Sequence, residues 1–142
     1  MTVHHIVRQA EPHDLEILDR IHTENMQRYV EQLYSWNPTL FRDNFDSQEY
    51  QVIECQNKII GFIKIVISEA EIYLGEIQIV RDYQNCGIGT TIIKGIIKDA
   101  QQNHQRLWLK VLKSNPAQTL YQRLGFTSYA ISSTHLILEI KN

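Results

Sequence analysis

The 142-residue chain is 43% hydrophobic and 21% charged, and its 14 basic and 16 acidic side chains give a formal net charge of −2. This composition predicts one globular domain over residues 1–142. It argues against a nucleic-acid partner, a membrane span, a disulfide framework and a zinc cage. The first eight residues lack the apolar stretch of a secretory signal, so we expect a cytoplasmic protein. Two cysteines, Cys55 and Cys86, are too few and too far apart for a zinc site, and we expect no metal.

The first half of the chain is predicted to begin with a strand over His4–Ala10. An acidic turn around Pro12 then begins a helix whose apolar spacing continues to about Leu33. The pair Asn37-Pro38 begins a short second helix that continues to about Phe45. Branched and aromatic residues next predict an antiparallel meander of three strands. These strands are Tyr50–Cys55, Ile59–Ser68 and Ile72–Val80.

In the second half, isoleucines on one face predict a helix of about four turns over Ile88–Ala100. A strand, a helix closed by a left-handed Gly125 and two more strands follow. Their predicted bounds are Leu107–Leu112, Asn115–Leu124, Phe126–Ile131 and His135–Ile140. A meander followed by one parallel crossover gives an α+β fold with a mixed, mostly antiparallel sheet of about seven strands and about four helices. We expect the last strand to expose an edge, which would favour a homodimer.

The segment Gln84–Thr90, read Gln-Asn-Cys-Gly-Ile-Gly-Thr, lies between a predicted strand and a predicted helix. Backbone N–H groups in such a turn, together with the helix dipole, can hold a phosphate. Gly87 and Gly89 would allow its close approach. Glycines also simply connect strands to helices, so the motif alone leaves both interpretations open. The third glycine of a dinucleotide fingerprint and the Gly-Lys-Ser/Thr of a Walker loop are both missing.

The same loop resembles the Q/R-x-x-G-x-G/A signature of the GNAT superfamily of acyl-CoA-dependent N-acyltransferases. Downstream, Asn115–Phe126 is similar to the N-x-x-A-x-x-L-Y-x-x-L-G-F segment of that family. The order of predicted elements agrees with the family over nearly the whole chain. The resemblance implies a GNAT-like fold with one parallel, splayed strand pair at the CoA site, and acetyl-CoA as the acyl donor.

The resemblance also implies which residues bind the donor. In the family, amides of the signature loop bind the pyrophosphate, the pantetheine arm pairs with the preceding strand, and a backbone N–H polarises the acyl carbonyl. That N–H would lie near Ile79. The implied CoA-binding set is Ile77, Gln78, Ile79, Gln84, Asn85, Cys86, Gly87, Ile88, Gly89, Thr90, Asn115 and Tyr121.

The downstream motif leaves two questions open. Its first gap is one residue shorter than in the family, so either Ser114 or Asn115 fills the asparagine position. Cys86, at a helix N-terminus, could carry an acyl group, whereas direct transfer in the family favours a neutral filler.

The resemblance assigns Tyr121 the role of protonating the departing CoA thiolate. On the residues alone, packing on the core face of its helix is the alternative. Lys110 stands where some members of the family carry a glutamate base, and a cation cannot accept a proton. Glu76, our candidate base, or Glu71 could act directly or through water, the alternative being a solvent-facing acid.

The acceptor is expected to contact the first two helices and the connection between them. The candidates are Arg28, Tyr29, Tyr34 and Trp36, with Met26 and Phe45 beside them. Helical aromatics also commonly belong to cores. Arg28 or Arg42 would favour an acceptor with a carboxylate, and the six histidines show no metal-ligand spacing.

Taken together, the sequence predicts acetyl transfer from acetyl-CoA to a primary amine of a small molecule or peptide, by direct attack in a ternary complex. The alternatives are a non-catalytic acyl-CoA-binding module and a dinucleotide-binding protein.

Overall fold

The computed structural model describes residues 4–142, in which seven strands form one sheet in the order β1-β2-β3-β4-β5-β7-β6. The strands are β1 Ile6–Gln9, β2 Tyr50–Cys55, β3 Lys58–Ile67, β4 Glu71–Ile79, β5 Arg106–Leu112, β6 Thr127–Ile131 and β7 His135–Ile140. Neighbouring strands are antiparallel except β4 and β5, which are parallel. The predicted mixed, mostly antiparallel sheet is therefore confirmed.

The described residues form four α-helices, α1 Leu15–Val30, α2 Leu40–Asp43, α3 Ile88–Gln102 and α4 Ala117–Arg123. The first two are shorter than predicted. Helix α1 ends at Val30 and is followed by a turn in which the N–H groups of Leu33 and Tyr34 both donate to the Val30 carbonyl. Ahead of α2, the Asn37 side chain accepts the N–H of Thr39 at 3.1 Å, a local turn that competes with helix formation.

The prediction that the last strand forms an exposed edge is wrong. Strand β7 pairs with β5 on one side and with β6 on the other, so β1 and β6 are the edges of the sheet. The reason is that the β6–β7 hairpin places its second strand, with the fully buried Leu138, next to β5. Formation of a homodimer stays a prediction, but β7 cannot be the strand that pairs between the two subunits.

Two apolar cores lie on opposite faces of the sheet. Alternation along a strand divides them, since Val52 and Phe62 belong to one core while their chain neighbours Ile53 and Ile63 belong to the other. The smaller core packs α1 on β2 and β3, whereas the larger one packs α3 and α4 on the sheet. Helices α1 and α3 therefore lie on opposite faces of the sheet, and β4, which carries the candidate site, lies between them.

Gly61 of β3 lies so close to β4 that a side chain cannot be added without moving the backbone. A Cβ there would lie 2.3 Å from the Gln78 carbonyl oxygen. We expect Gly61→Ala to lower the free energy of unfolding by about 2 kcal/mol through overpacking, as measured by denaturant unfolding. The matched control is Gly95→Ala, at an exposed position of α3 where a Cβ meets nothing within 4 Å. This control should raise stability by about 0.5–1 kcal/mol, and equal effects of the two changes would contradict the prediction.

Candidate active site

Strands β4 and β5 diverge halfway along their length. Their pairing runs from Glu71 opposite Arg106 to Leu74 opposite Leu109 and then stops. At the same level the pairing of β4 with β3 shifts by one residue, which leaves Gly75 as a bulge. Because a bulge bends its strand and increases its twist, β4 turns away from β5 there. The splay predicted for the parallel pair is confirmed.

Beyond the bulge, one edge of β4 has lost its neighbouring strand. Val80 donates its N–H to the Ile60 carbonyl on β3 at 2.8 Å. Antiparallel bonding alternates, so Gln78 is the next residue bonded to β3, while Ile77 and Ile79 direct their N–H and C=O groups to the opposite edge. The N–H groups of Ile77 and Ile79 and the carbonyl of Ile77 can pair with an extended ligand as a further strand would.

The carbonyl of Ile79 ties this edge to two other elements. It accepts the side-chain amides of Asn25 on α1 and Gln84 in the following loop, both at 2.9 Å. The Asn25 amide also donates to the Gln78 side chain at 3.1 Å. These bonds fix the end of β4 relative to α1 and the loop, so the N–H groups of the open edge are held in place.

A cavity of about 770 Å³ fills the splay between β4 and β5, walled by α1, the connection after it and α4. It brings together most of the residues singled out from the sequence, from both the donor and the acceptor set. Those lining it are Arg28, Tyr29, Tyr34, Trp36, Glu76, Ile77, Gln78, Ile79, Gln84, Asn85, Gly89, Asn115 and Tyr121.

The remaining predicted donor contacts lie outside the cavity lining, in the loop and the first turn of α3. Cys86 and Gly87 are exposed, Thr90 is half-buried, and the Ile88 side chain is buried in the larger core. Only the backbone of Ile88 could therefore contact a ligand. Phe45 is not part of the lining either, since it packs on Tyr50 with ring centroids 4.8 Å apart.

The loop before α3 adopts a left-handed backbone conformation at Gly87, whereas Gly89 is part of the helix. Gly87 has φ +84° and Asn85 has φ 61°, both in the left-handed region. Gly89 lies within α3, where a Cβ would make an ordinary contact of 3.6 Å with Ile79. The turn itself therefore requires glycine at position 87, and packing alone would accept alanine at position 89.

The first turn of α3 offers a group of backbone donors. The helical hydrogen bonds begin with the N–H of Thr91, which donates to the Gly87 carbonyl at 3.0 Å. The preceding N–H groups of Ile88, Gly89 and Thr90 have no helical acceptor, as at every helix N-terminus. Together with the helix dipole they suit an anion such as a phosphate.

Tyr121 on α4 is buried, with 9% of its surface exposed, yet it lines the cavity. Its ring packs edge-to-face on Phe126 with centroids 5.8 Å apart. Burial, and secondly the negative charge of Glu76, raise the pKa of Tyr121 to about 12. The residue thus belongs to the core and to the cavity at once, and its phenol keeps its proton at neutral pH.

Glu76 on β4 is paired with a residue that sequence reasoning missed. His22 on α1 forms a hydrogen bond between its Nδ1 and Glu76 Oε1, and the Gln78 amide donates to the same oxygen at 3.1 Å. The Glu76 side chain is only 15% exposed, whereas Glu71 is 42% exposed and pairs with Arg106. Glu76 is therefore not the solvent-facing acid of the alternative interpretation, while Glu71 is half-exposed.

The histidine ring is held by two aromatic side chains. It stacks on Phe41 with a centroid distance of 4.7 Å and on Trp36 at 5.7 Å, at interplanar angles of 27° and 28°. The available signal was the polar interruption of the apolar face of α1 at His22 and Asn25, three residues apart. Both side chains face the cavity and not the core.

The two arginines proposed for a carboxylate acceptor differ in their surroundings. Arg42 forms ion pairs with Glu16 and with Asp19, the latter at 3.0 Å, and does not line the cavity. Arg28 does, with its guanidinium over the Tyr29 ring and donating to the Tyr29 hydroxyl at 2.9 Å. Of the two, only Arg28 lines the cavity.

The two candidates for the asparagine position point in different directions. Asn115 lines the cavity, and its side-chain oxygen accepts the N–H of Ala117, the first residue of α4, at 2.9 Å. Ser114 instead donates its hydroxyl to the Tyr29 carbonyl at 2.8 Å and so joins the turn before α4 to the end of α1. Of the two, Asn115 lines the cavity and Ser114 does not.

Across residues 4–142, no three His, Cys, Asp or Glu side chains are grouped so that they could hold a metal ion. None of the helices in that part of the chain has the length and apolar character needed to cross a membrane.

Comparison with known proteins decides the family. The model of the acetyltransferase (GNAT) family matches residues 13–126. The chain belongs to this family. A ribosomal protein bS18-alanine N-acetyltransferase from Haemophilus influenzae is 32% identical to it over 136 residues, which cover 92% of this chain and 86% of the relative. The resemblance deduced from the two motifs is thereby confirmed, as is the acetyltransferase class.

Solved structures agree with this GNAT acetyltransferase in fold. The PaiA N-acetyltransferase of Thermoplasma acidophilum in complex with coenzyme A superposes with a TM-score of 0.78 at 18% identity, covering 98% of this chain and 99% of that one. The ribosomal-protein-S18-alanine N-acetyltransferase of Escherichia coli gives 0.69 at 22% identity, covering 97% and 94%. The GNAT-like fold implied by the sequence is confirmed.

Proposed function

We propose that this GNAT acetyltransferase moves the acetyl group of acetyl-CoA to the α-amine of a protein or peptide N-terminus. The observation that carries the proposal is the open edge of β4 at Ile77–Ile79, which runs along one cavity that also holds Tyr121. The donors at the start of α3 suit the pyrophosphate, and the open edge suits the extended pantetheine arm.

Acetyl-CoA supplies an activated acyl group, and the residues of the chain control charge and protons around it. The N–H of Ile79 polarises the acyl carbonyl as negative charge develops on its oxygen. Tyr121, whose raised pKa keeps the phenol protonated, donates its proton to the departing sulfur. The attacking amine loses its surplus proton on the side of Glu76, and transfer is direct, without an acyl-Cys86 step.

The acceptor proposal rests on the walls of the cavity and on the relative. Tyr34 and Leu40 are 47% and 54% exposed and line the cavity, so their apolar surface can contact the first residues of a peptide. The H. influenzae relative is named for the alanine of ribosomal protein bS18. A bS18 N-terminus that begins with alanine is therefore the first acceptor to test.

The test compares three peptides of one sequence: a free N-terminal alanine, the same peptide blocked at its N-terminus, and the blocked peptide with an added lysine. We expect CoA release and a single acetylated product with the free α-amine alone. Release only with the lysine peptide would overturn the α-amine assignment. CoA binding without turnover on any amine would favour the acyl-CoA-binding module, an alternative supported by Lys110 in the cavity wall. Binding of NAD without CoA would overturn the acetyl-CoA assignment.

A further inference from the structure

We propose that His22 is the catalytic residue that accepts the proton of the attacking amine, and that Glu76 acts as its positioning residue. This inference rests on the proposed acetyl transfer and names the proton acceptor within it. The sequence offered Glu76 itself for this task.

The first argument is the state of the two ring nitrogens. Nδ1 of His22 is bonded to the carboxylate of Glu76, which can only accept, so the proton of a neutral ring lies on Nδ1 and Nε2 carries the lone pair. Nε2 has no hydrogen-bond partner among residues 4–142, and it is not sealed from solvent although the side chain is only 20% exposed. Since His22 lines the cavity, we place the lone pair of Nε2 on the cavity side of the ring.

The second argument is that the ring cannot turn away. Phe41 and Trp36 stack on it, at 4.7 Å and 5.7 Å between centroids, and both rings lie within 28° of its plane. The Gln78 amide at 3.1 Å holds the carboxylate of Glu76 in turn. A base that is locked in this way is already oriented before the amine arrives.

The third argument is the location of the pair. Asn25 lies on the same face of α1 as His22, three residues later, and donates to the Ile79 carbonyl at 2.9 Å. Helix α1 thus presents His22 to Glu76 and Asn25 to Ile79 along the open edge of β4. The proton acceptor and the N–H proposed for the acyl carbonyl therefore lie along the same edge of β4 and line the same cavity.

The proton inventory of the step closes. The amine, in its neutral form after release of the ammonium proton to solvent, forms a bond from nitrogen to the acetyl carbon and gives one proton to His22 Nε2, while the C–S bond breaks and the sulfur takes the proton of Tyr121. Passage of a proton from the imidazolium to the tyrosinate through solvent restores both residues. An imidazole can act as a general base because Nε2 carries a lone pair, and the carboxylate of Glu76 is bonded to Nδ1 on the other side of the ring.

Other charges surround the histidine from several elements. Asp19 on α1 is paired with Arg42, and Lys110 on β5 lines the same cavity. The Tyr50 ring contacts Phe41, which in turn stacks on the histidine. None of these three groups is hydrogen-bonded to the His22 ring, whereas Glu76 is. A pH profile would therefore combine several groups, and we base the test on rescue by an added base.

The experiment measures kcat of His22→Ala with and without added imidazole. We expect a loss of about 100-fold or more, partial recovery with imidazole, and faster recovery with more basic imidazoles, while the affinity for CoA is unchanged. In Glu76→Gln, whose amide oxygen can still accept from Nδ1, kcat should fall without recovery. His13→Ala is the matched control, since that side chain is 73% exposed, and it should keep the parent kcat.

His22→Gln serves as a second variant of similar size in case alanine destabilises the aromatic stack, and its kcat should fall equally. An active parent whose two His22 variants keep their kcat would overturn the inference, as would a loss that no imidazole restores in a folded His22→Ala. A parent that transfers acetyl to no amine would overturn the proposed function as well, so the two failures are distinguishable.

Discussion

Tyr121→Phe is expected to lower kcat by about 100-fold or more, because the thiolate of CoA then leaves without a proton from the protein. The affinity for CoA should be unchanged. The variant removes one oxygen and leaves the ring in its edge-to-face contact with Phe126. The hydroxyl has no hydrogen-bond partner among residues 4–142, so its removal should leave stability close to that of the parent.

The matched control is Tyr129→Phe, the same chemical change at a side chain that is 61% exposed on the edge strand β6. Initial rates with saturating acetyl-CoA, CoA titrations and thermal midpoints should be measured for both variants. If Tyr121→Phe kept kcat within a few-fold of the parent, Tyr121 would be a core residue without a role in proton transfer.

The raised pKa of Tyr121 gives this prediction a pH dependence. A general acid works while it is protonated, so its contribution is complete at neutral pH and is lost only as the pH rises toward its pKa of about 12. We therefore expect no fall in the parent kcat from this group between about pH 7 and pH 9. An alkaline fall in that range that disappears in Tyr121→Phe would show a much lower pKa.

The sequence predicted elements whose signals are local. The bounds predicted for strand β2, Tyr50–Cys55, are those observed, because branched and aromatic residues there are followed directly by a polar turn. Helix α2 was predicted too long, since the hydrogen bond from Thr39 to the Asn37 side chain is a competing local structure that periodicity does not show. The edge prediction for β7 was wrong because strand order depends on contacts between distant parts of the chain.

The candidate site follows the same division. The loop before α3 and Tyr121 were found because each lies in a motif whose residues are adjacent in the chain. His22 was missed because its partner, Glu76, is 54 residues away, and no periodicity links a helix residue to one strand residue. Its stacking on Trp36 and Phe41 depends on how the irregular connection after α1 folds back. Sequence reasoning therefore found Glu76 without the partner that orients it.

Asp14→Ala is expected to lower the free energy of unfolding by about 3 kcal/mol, because it removes a buried charge-assisted network. The Asp14 side chain is 2% exposed and accepts two hydrogen bonds from the Arg8 guanidinium, at 2.9 Å and 3.0 Å. It also accepts the N–H of Glu11 at 2.8 Å. These bonds join β1 to the start of α1. Arg8 keeps Glu54 at 3.3 Å as a second partner, so its charge is not left alone.

The same ion pair predicts how stability changes in acid. The Arg8 guanidinium holds the pKa of the Asp14 carboxyl below its usual 3.8, so the group is more acidic in the folded than in the unfolded chain. Its stabilising contribution is present above about pH 4 and is lost as the pH falls through the folded pKa. The difference in stability between the parent and Asp14→Ala should thus be complete at pH 7 and shrink below pH 4.

Glu16→Ala is the matched control, since it removes a carboxylate that also pairs with an arginine near the start of α1 but is 75% exposed. Urea unfolding at pH 7 and at pH 3 should show no change for Glu16→Ala beyond error, as is usual for surface pairs. An unchanged midpoint for Asp14→Ala at pH 7 would mean that desolvation cancels the hydrogen bonds of the buried pair. At urea concentrations at which it is still folded, Asp14→Ala should keep the parent kcat. Leu18 and Ile21 still fix α1 against the sheet and thereby keep His22 in the cavity.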